Sequence, residues 1–220
     1  MTQTDLLNRI GKVRERIVHA AQRSGRAASE ITILGACKQV ERDRVMQAIA
    51  LGINHVGENQ VQEAEAKFKG LERPSQLTAL HLIGHLQANK VRRAVTLFDT
   101  IQSVDSIRLA YRVDNIAHEL NMCPKIYIQV NLGDESSKDG ISHDGVMELA
   151  EFVSHCESLS LAGLMAVPPH TEDLELVRPY FRTLRDLRDS VCKLAYYRGW
   201  TLELSMGMTQ DFEVAIEEGA

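Results

Sequence analysis

The sequence lacks the segments that would carry a chain into or across a membrane. No apolar run approaches the eighteen or so residues that a membrane span needs. The chain opens with polar and charged residues (MTQTDLLNRIGKVRER), which predicts neither a secretory signal peptide nor a transit peptide. These absences predict a cytoplasmic protein with no membrane partner.

Cysteine pairs, common nucleotide-binding loops and an excess of positive charge are also missing. The 4 cysteines form no C-x-x-C pair, which excludes zinc-finger and thioredoxin-like sites and predicts reduced, mostly buried thiols. Neither G-x-G-x-x-G nor G-x-x-x-x-G-K-[ST] occurs, so dinucleotide and P-loop sites are excluded. The 25 basic and 30 acidic residues give a net charge of −5, which argues against nucleic acid as a partner.

What is present is the composition of an ordinary globular protein, with 44% hydrophobic and 25% charged residues. No linker or low-complexity tract divides the chain, which predicts a single domain over residues 1–220. Apolar residues recur at helical spacing from Asp5 to Ser24, with Thr4 as the candidate N-cap and Gly25 as the stop. Residues 1–25 are therefore expected to form an N-terminal helix that packs on the domain.

Short apolar runs alternate with amphipathic stretches along the rest of the chain. The seven runs are Ile31–Lys38, His55–Asn59, Leu80–His85, Thr100–Asp105, Lys125–Asn131, Leu159–Val167 and Thr201–Met208. The stretches that predict crossover helices are 41–52, 89–98, 106–120, 143–156 and 177–199. Several runs are continuously apolar, which is typical of parallel strands covered on both faces. Such a chain forms either a doubly wound sheet or a (β/α) barrel, and its length lies near the lower end of the barrel range.

Polar or conformationally special residues close six of the seven runs. In parallel α/β proteins the carboxyl ends of the strands form the functional edge. Lys38 stands out because it closes an apolar run, where a buried ammonium group is costly. Burial would lower the pKa of this lysine and make its amine nucleophilic, as Schiff-base chemistry requires. A lysine that reaches solvent is the alternative.

The segment 204–211 leads from a predicted strand through a glycine turn into a helix. Ser205 and Thr209 offer hydroxyl groups, and Gly207 lets backbone N–H groups approach a ligand closely. This pattern indicates an anion site of the kind that barrel enzymes use for phosphate. The alternative is that Thr209 is an ordinary N-cap, and the acidic residues that follow would repel a phosphate that they faced.

Metal sites are not predicted. His81 and His85 are four residues apart in a predicted strand, which separates them by about 13 Å, too far to share one metal. The loop 131–140 carries three carboxylates but lacks the ligand pattern of a calcium loop, and Lys138 among them predicts a solvated loop.

Motifs spread along almost the whole chain resemble the YggS/PROSC-type pyridoxal 5′-phosphate (PLP) homeostasis proteins, a family related to the N-terminal domain of alanine racemase. The motifs are Gly35–Gln39, Gly57–Glu63, His81–Lys90, Ser103–Ser106, Gln129–Asn131 with Lys138–Gly140, Gly163–Pro168 and Leu204–Thr209. The resemblance implies one TIM-type (β/α)8 barrel with an extra N-terminal helix. The family continues past the position of Ala220 into an eighth strand with an Arg-x-Gly-Thr motif. We therefore expect either a gap between the first and last strands of this chain or further sequence downstream of it.

The resemblance also implies that Lys38 holds PLP as an internal aldimine at the mouth of the barrel. The residues it assigns to PLP are Lys38 for the aldehyde, Asn59 and Met165 for the pocket wall, and Ser205, Gly207 and Thr209 for the phosphate. It assigns no metal and no catalytic residue.

The function that the resemblance implies is non-catalytic regulation of intracellular PLP (vitamin B6) by a monomer, with PLP-dependent apo-enzymes as transient recipients. The alternative is a PLP-dependent amino-acid racemase or decarboxylase of the alanine racemase fold. Racemisation needs acid and base groups on both faces of the substrate. The related racemases draw one of these groups from an additional domain.

Overall fold

The computed structural model describes residues 3–70, 72–133, 139–169, 171 and 173–220, and within them eight α-helices and eight strands follow one another. The strands are β1 (Leu34–Ala36), β2 (His55–Glu58), β3 (Ala79–Leu82), β4 (Thr100–Val104), β5 (Lys125–Asn131), β6 (Ile141–Ser142), β7 (Ser160–Met165) and β8 (Glu203–Ser205). The helices are α1 (Gln3–Arg23), α2 (Arg42–Ala50), α3 (Val61–Phe68), α4 (Val91–Leu97), α5 (Ile107–Glu119), α6 (Val146–Ser154), α7 (Arg178–Val191) and α8 (Phe212–Glu217).

All strand pairs are parallel, and the sheet runs in the order β1-β2-β3-β4-β5-β7-β8, with the two-residue β6 paired to β5 outside this path. Each strand of the path therefore lies beside the next one along the chain, as crossover helices on one face of a curling sheet require. The predicted α/β class of TIM-barrel type is confirmed, and each of the seven apolar runs overlaps one strand of the path.

The main core lies between the sheet and its helices. Leu82, Ile101 and Ile126 from the strands meet Leu149 and Leu184 from the helices, and all five are fully buried. Each such side chain stabilises the fold by about 1.5 to 3 kcal/mol relative to exposure. This layer explains why the strand sequences are apolar without strict alternation.

The sheet curls, although its first and last strands do not pair. Ser205 at the end of β8 donates to Gln102 of β4 at 2.7 Å, although β5 and β7 separate these strands in the sheet. In the part of the chain that the structure describes, no ladder joins β1 to β8. This matches the expected gap between the first and last strands.

Helices α1 and α8 bring the two open edges towards each other. Ile17 of α1 and Ile216 of α8 are buried in one cluster, which also includes Ile33, just before β1, and Phe212. Ion pairs join the same two helices, and one of them links Arg23 to Glu217 at 2.6 Å. The apolar face of the N-terminal helix is therefore used to hold β1 near β8.

Several element boundaries differ from those predicted. Helix α1 already includes Thr4, which is therefore not an N-cap. Helix α3 was not predicted, because its eight residues are fewer than the window over which helical periodicity is recognised.

All four cysteines are free, but Cys37 alone is buried, so the prediction of mostly buried thiols is wrong. None of the described helices has both the length and the apolar character that crossing a bilayer requires.

Candidate functional site

The carboxyl edge of the sheet carries the residues that sequence analysis assigned to a ligand. Lys38 follows β1, Asn59 follows β2, Met165 ends β7, Ser205 ends β8, and Gly207 and Thr209 lie in the turn after β8. Because the strands are parallel, all these positions lie at one edge of the sheet.

Lys38 lies in a turn and not at the end of a strand. Strand β1 stops at Ala36, and the chain turns through Gln39, which has a φ of 57°. Cys37 is 6% exposed and belongs to the main core, whereas the side chain of Lys38 is exposed. The predicted burial of Lys38 is therefore wrong, and the alternative of a lysine that reaches solvent is correct. The early end of β1 is the physical reason.

Asn59 and Met165 form different parts of the same edge. Asn59 is half-buried directly after Glu58, the last residue of β2. Met165 is buried and lies opposite Ser205 in the β7–β8 register. Met165 is therefore next to the turn that follows β8. The roles of Asn59 and Met165 as walls of a ligand pocket remain predictions.

The turn after β8 offers unused backbone donors. Gly207 has a φ of 89°, which disfavours any side chain, and a Cβ there would lie 2.7 Å from the Cβ of Ala215. Within the described residues, the N–H groups of Gly207 and Thr209 have no hydrogen-bond acceptor. Helix α8 begins at Phe212, so the alternative in which Thr209 is its N-cap is wrong. Two free amides in a turn fit an anion.

The two acidic residues near this turn have different partners. Asp211 is buried and accepts a hydrogen bond from the N–H of Met208 at 2.5 Å. Glu213 forms an ion pair with Arg16 of α1 at 3.1 Å. The positive charge of Arg16 offsets the negative charge of Glu213, so the repulsion of a phosphate that the sequence position of Glu213 suggested is reduced.

A chain of hydrogen bonds runs from the same turn into the interior. The Ser205 hydroxyl donates to Gln102 Oε1 at 2.7 Å. With its oxygen held in this way, the Gln102 amide directs its nitrogen towards His81 and donates to His81 Nδ1 at 3.1 Å. Since His81 Nδ1 then accepts, His81 Nε2 carries the proton and donates to His55 Nδ1 at 3.0 Å. Sequence reasoning missed Gln102 and weighed His81 only as a metal ligand, because the contact depends on the curl of the sheet.

Burial makes the two histidines of this hydrogen-bonded series, His55 and His81, harder to protonate. Burial and then the neighbouring His55 lower the pKa of His81 from 6.5 to about 4, and burial lowers the pKa of His55. His81 is 6% exposed, so solvent does little to screen the effect. The neutral form of His81 that the hydrogen bonds require is thus the form that the folded protein holds near neutral pH.

We expect His81 to make folding stability depend on pH. The unfolded chain takes up a proton at this residue below pH 6.5, whereas the folded chain does so only below about pH 4. The stability that neutral His81 contributes is therefore fully present above pH 6.5 and is lost as the pH falls to 4. The loss is about 3 kcal/mol. In urea unfolding, the stability difference between the wild type and His81→Gln should therefore shrink by that amount from pH 7 to pH 4. The exposed His118 provides the control, His118→Gln, and an unchanged difference for His81→Gln would contradict the assignment.

No group of three or more His, Cys, Asp or Glu side chains in the described ranges could hold a metal ion. His81 is buried in β3, and His85 lies beyond the end of that strand with its side chain 48% exposed. The predicted solvated loop includes Asp134, Glu135 and Lys138, which lie outside the described residues.

Comparisons with known proteins agree with this architecture. The chain matches the family model of the alanine racemase N-terminal domain over residues 10–217. It is 39% identical over 212 residues to a pyridoxal phosphate homeostasis protein of Aquifex aeolicus, a match that covers 96% of this chain and 91% of that protein. An unknown protein from Bifidobacterium adolescentis superimposes with a TM-score of 0.91 at 32% identity, over 99% of this chain and 91% of the other.

A second solved structure includes a ligand. PipY of Synechococcus elongatus PCC7942 with PLP bound superimposes with a TM-score of 0.78 at 35% identity, over 94% of each chain. The sequence match, the family model and the shared fold all cover nearly the full length. The chain therefore belongs to the family of pyridoxal phosphate homeostasis proteins, which is built on the alanine racemase N-terminal domain.

Proposed function

We propose that this protein binds PLP at the carboxyl edge of its sheet and takes part in intracellular PLP homeostasis. The observation that carries the proposal is the presence of an exposed lysine and a donor-rich turn at one edge, in a chain that is 35% identical to a protein solved with PLP bound. Residues 1–220 act as one PLP-binding domain, with the N-terminal helix packed against it.

The residues at this edge fit the two reactive ends of PLP. When bound, PLP supplies an aldehyde that condenses with a primary amine, with loss of one water, and a phosphate that needs hydrogen-bond donors. Lys38 is the amine, because its exposed side chain at the edge is open to a ligand. The free amides of Gly207 and Thr209 provide the donors for the phosphate.

Backbone amides are the principal phosphate donors in this proposal. The Ser205 hydroxyl already donates to Gln102 Oε1, so its contribution to the phosphate is secondary. Gly207 allows the turn to pack closely against α8, where a Cβ at this position would collide with Ala215 and Phe212. Asn59 and Met165 border the remaining part of the edge and form the pocket wall.

The proposed role is to hold the cofactor and release it, without turnover of an amino acid. The name of the Aquifex aeolicus relative, a homeostasis protein, supports this role. The exposure of Lys38 leaves its amine accessible, which suits exchange of PLP with apo-enzymes. The protein works as a monomer in this proposal.

Borohydride trapping tests the site. The purified protein is incubated with PLP and reduced, and its peptides are mapped by mass spectrometry. We expect the reduced adduct mainly on Lys38, with little on the exposed lysines Lys12 and Lys69. An adduct spread evenly over the lysines would overturn the site. A second sample with D- or L-alanine should show no interconversion, and sustained racemisation would overturn only the non-catalytic role.

A further inference from the structure

The two peptide groups that flank Lys38 are both held by side chains of helix α3. The carbonyl oxygen of Cys37, just before Lys38, accepts a hydrogen bond from Lys67 Nζ at 2.7 Å. The N–H of Gln39, just after Lys38, donates to Glu63 Oε1 at 2.5 Å. The entry and exit of the Lys38 turn are thus each tied to a charged group from another element.

These contacts belong to one largely buried charge network. Lys67 Nζ also donates to Glu58 Oε1 at 2.9 Å and to Glu63 Oε1 at 3.0 Å, so each of its three protons has an acceptor. The side chain of Lys67 is 9% exposed, and that of Glu58 is fully buried. Burial alone would lower the pKa of Lys67, but the two carboxylates raise it overall. The ammonium is therefore charged at neutral pH.

The Lys38 turn needs such support because its backbone is strained. Gln39 has a φ of 57°, in the left-handed region that costs a non-glycine residue about 1 kcal/mol or more. One backbone hydrogen bond spans the turn, from Val40 N–H to Cys37 O at 3.0 Å. The hydrogen bond from Gln39 to Glu63 adds a second restraint at the strained residue itself.

We propose that Glu63 and Lys67 are positioning residues for Lys38. They fix the backbone on both sides of it, so that the exposed amine is presented at the carboxyl edge where PLP binds. Fixing the backbone removes conformational freedom that would otherwise be lost when the amine reacts. This inference rests on the proposed function, because Lys38 needs positioning only if it takes PLP. It also accounts for the two carboxylates of the motif 57–63, Glu58 and Glu63, which both accept hydrogen bonds from Lys67.

Glu63→Ala is the primary test, and Glu65→Ala is its matched control. Glu65 lies on the same helix and also pairs with a basic side chain, Arg93, but it has no contact with the Lys38 turn. In protein freed of PLP, we expect hydrogen exchange at the Gln39 amide to be about tenfold faster in Glu63→Ala and unchanged in the control. The rate at which borohydride traps PLP on Lys38 should fall about tenfold in Glu63→Ala alone.

Glu63→Gln provides the conservative variant. The amide oxygen of the new glutamine can still accept a hydrogen bond from the Gln39 N–H. We therefore expect Glu63→Gln to keep most of the wild-type exchange protection at Gln39 and most of the wild-type trapping rate at Lys38. Lys67→Met is less informative, because it leaves Glu58 buried without its ionic partner and destabilises the whole fold. Urea unfolding of each variant separates a local effect on the turn from a global loss of stability.

The possible results separate this inference from the proposed function. If Glu63→Ala and Glu65→Ala give the same exchange and trapping rates, the positioning role is overturned. Faster exchange at Gln39 with an unchanged trapping rate overturns it as well, because the restraint would then have no effect on Lys38. If the unaltered protein forms no adduct on Lys38, the proposed function itself fails, whatever the exchange rates.

Discussion

Replacing Lys38 with alanine should abolish the borohydride-stable PLP adduct and leave the fold intact. The side chain is exposed, so its removal leaves no cavity and should change the free energy of unfolding by no more than about 0.5 kcal/mol. The amine, in contrast, is the proposed nucleophile, and the next lysine along the chain, Lys67, cannot replace it because Lys67 is buried in its ion pairs. Peptide mapping after reduction and urea unfolding measure the two quantities separately.

The control for this prediction is Lys69→Ala, which removes an exposed lysine from the surface near α3. Its labelling on Lys38 should equal that of the wild type. If Lys38→Ala still showed saturable binding with an adduct at one other lysine, the site would have to be reassigned to that residue. A large loss of stability in Lys38→Ala would contradict the exposure seen in the structure.

Replacing Gly163 with alanine should destabilise the protein by about 3 kcal/mol or more. A Cβ at this position would lie 2.1 Å from the carbonyl oxygen of Glu203 and 2.9 Å from the ring of Tyr127. Gly163 is paired with Glu203 in the β7–β8 ladder, so the clash is with backbone and cannot be relieved by rotation of a side chain. Relief requires β8 to move away from β7, which would displace Ser205 and the turn that follows it.

Gly11→Ala is the matched control. Gly11 lies inside α1, and a Cβ there would have no atom within 4 Å. Alanine has the higher helix propensity, so this variant should be more stable by up to about 1 kcal/mol. Thermal or urea unfolding measures both variants. Wild-type stability in Gly163→Ala would show that the β7–β8 contact is looser than the structure describes.

The order and type of the strands could be predicted from the sequence because they depend on local composition. The run Lys125–Asn131 is mostly apolar, contains three β-branched residues and is followed by a polar loop, and β5 has the same limits. A continuously apolar strand must be covered on both faces, and that condition already implies a parallel sheet with helices on its surface. The carboxyl edge, with Lys38 and the 204–211 turn, follows from that architecture.

The surroundings of the charged and polar side chains depended on the tertiary structure. Lys67 and Lys69 are two residues apart on or next to one short helix, yet Lys67 is buried in ion pairs and Lys69 is exposed. Lys38 was expected to be buried and is exposed, because β1 ends two residues before it. Ser205 meets Gln102 across 103 positions of sequence. Burial and partner choice depend on contacts between distant segments, which local periodicity does not encode, and these contacts determine how Lys38 is held.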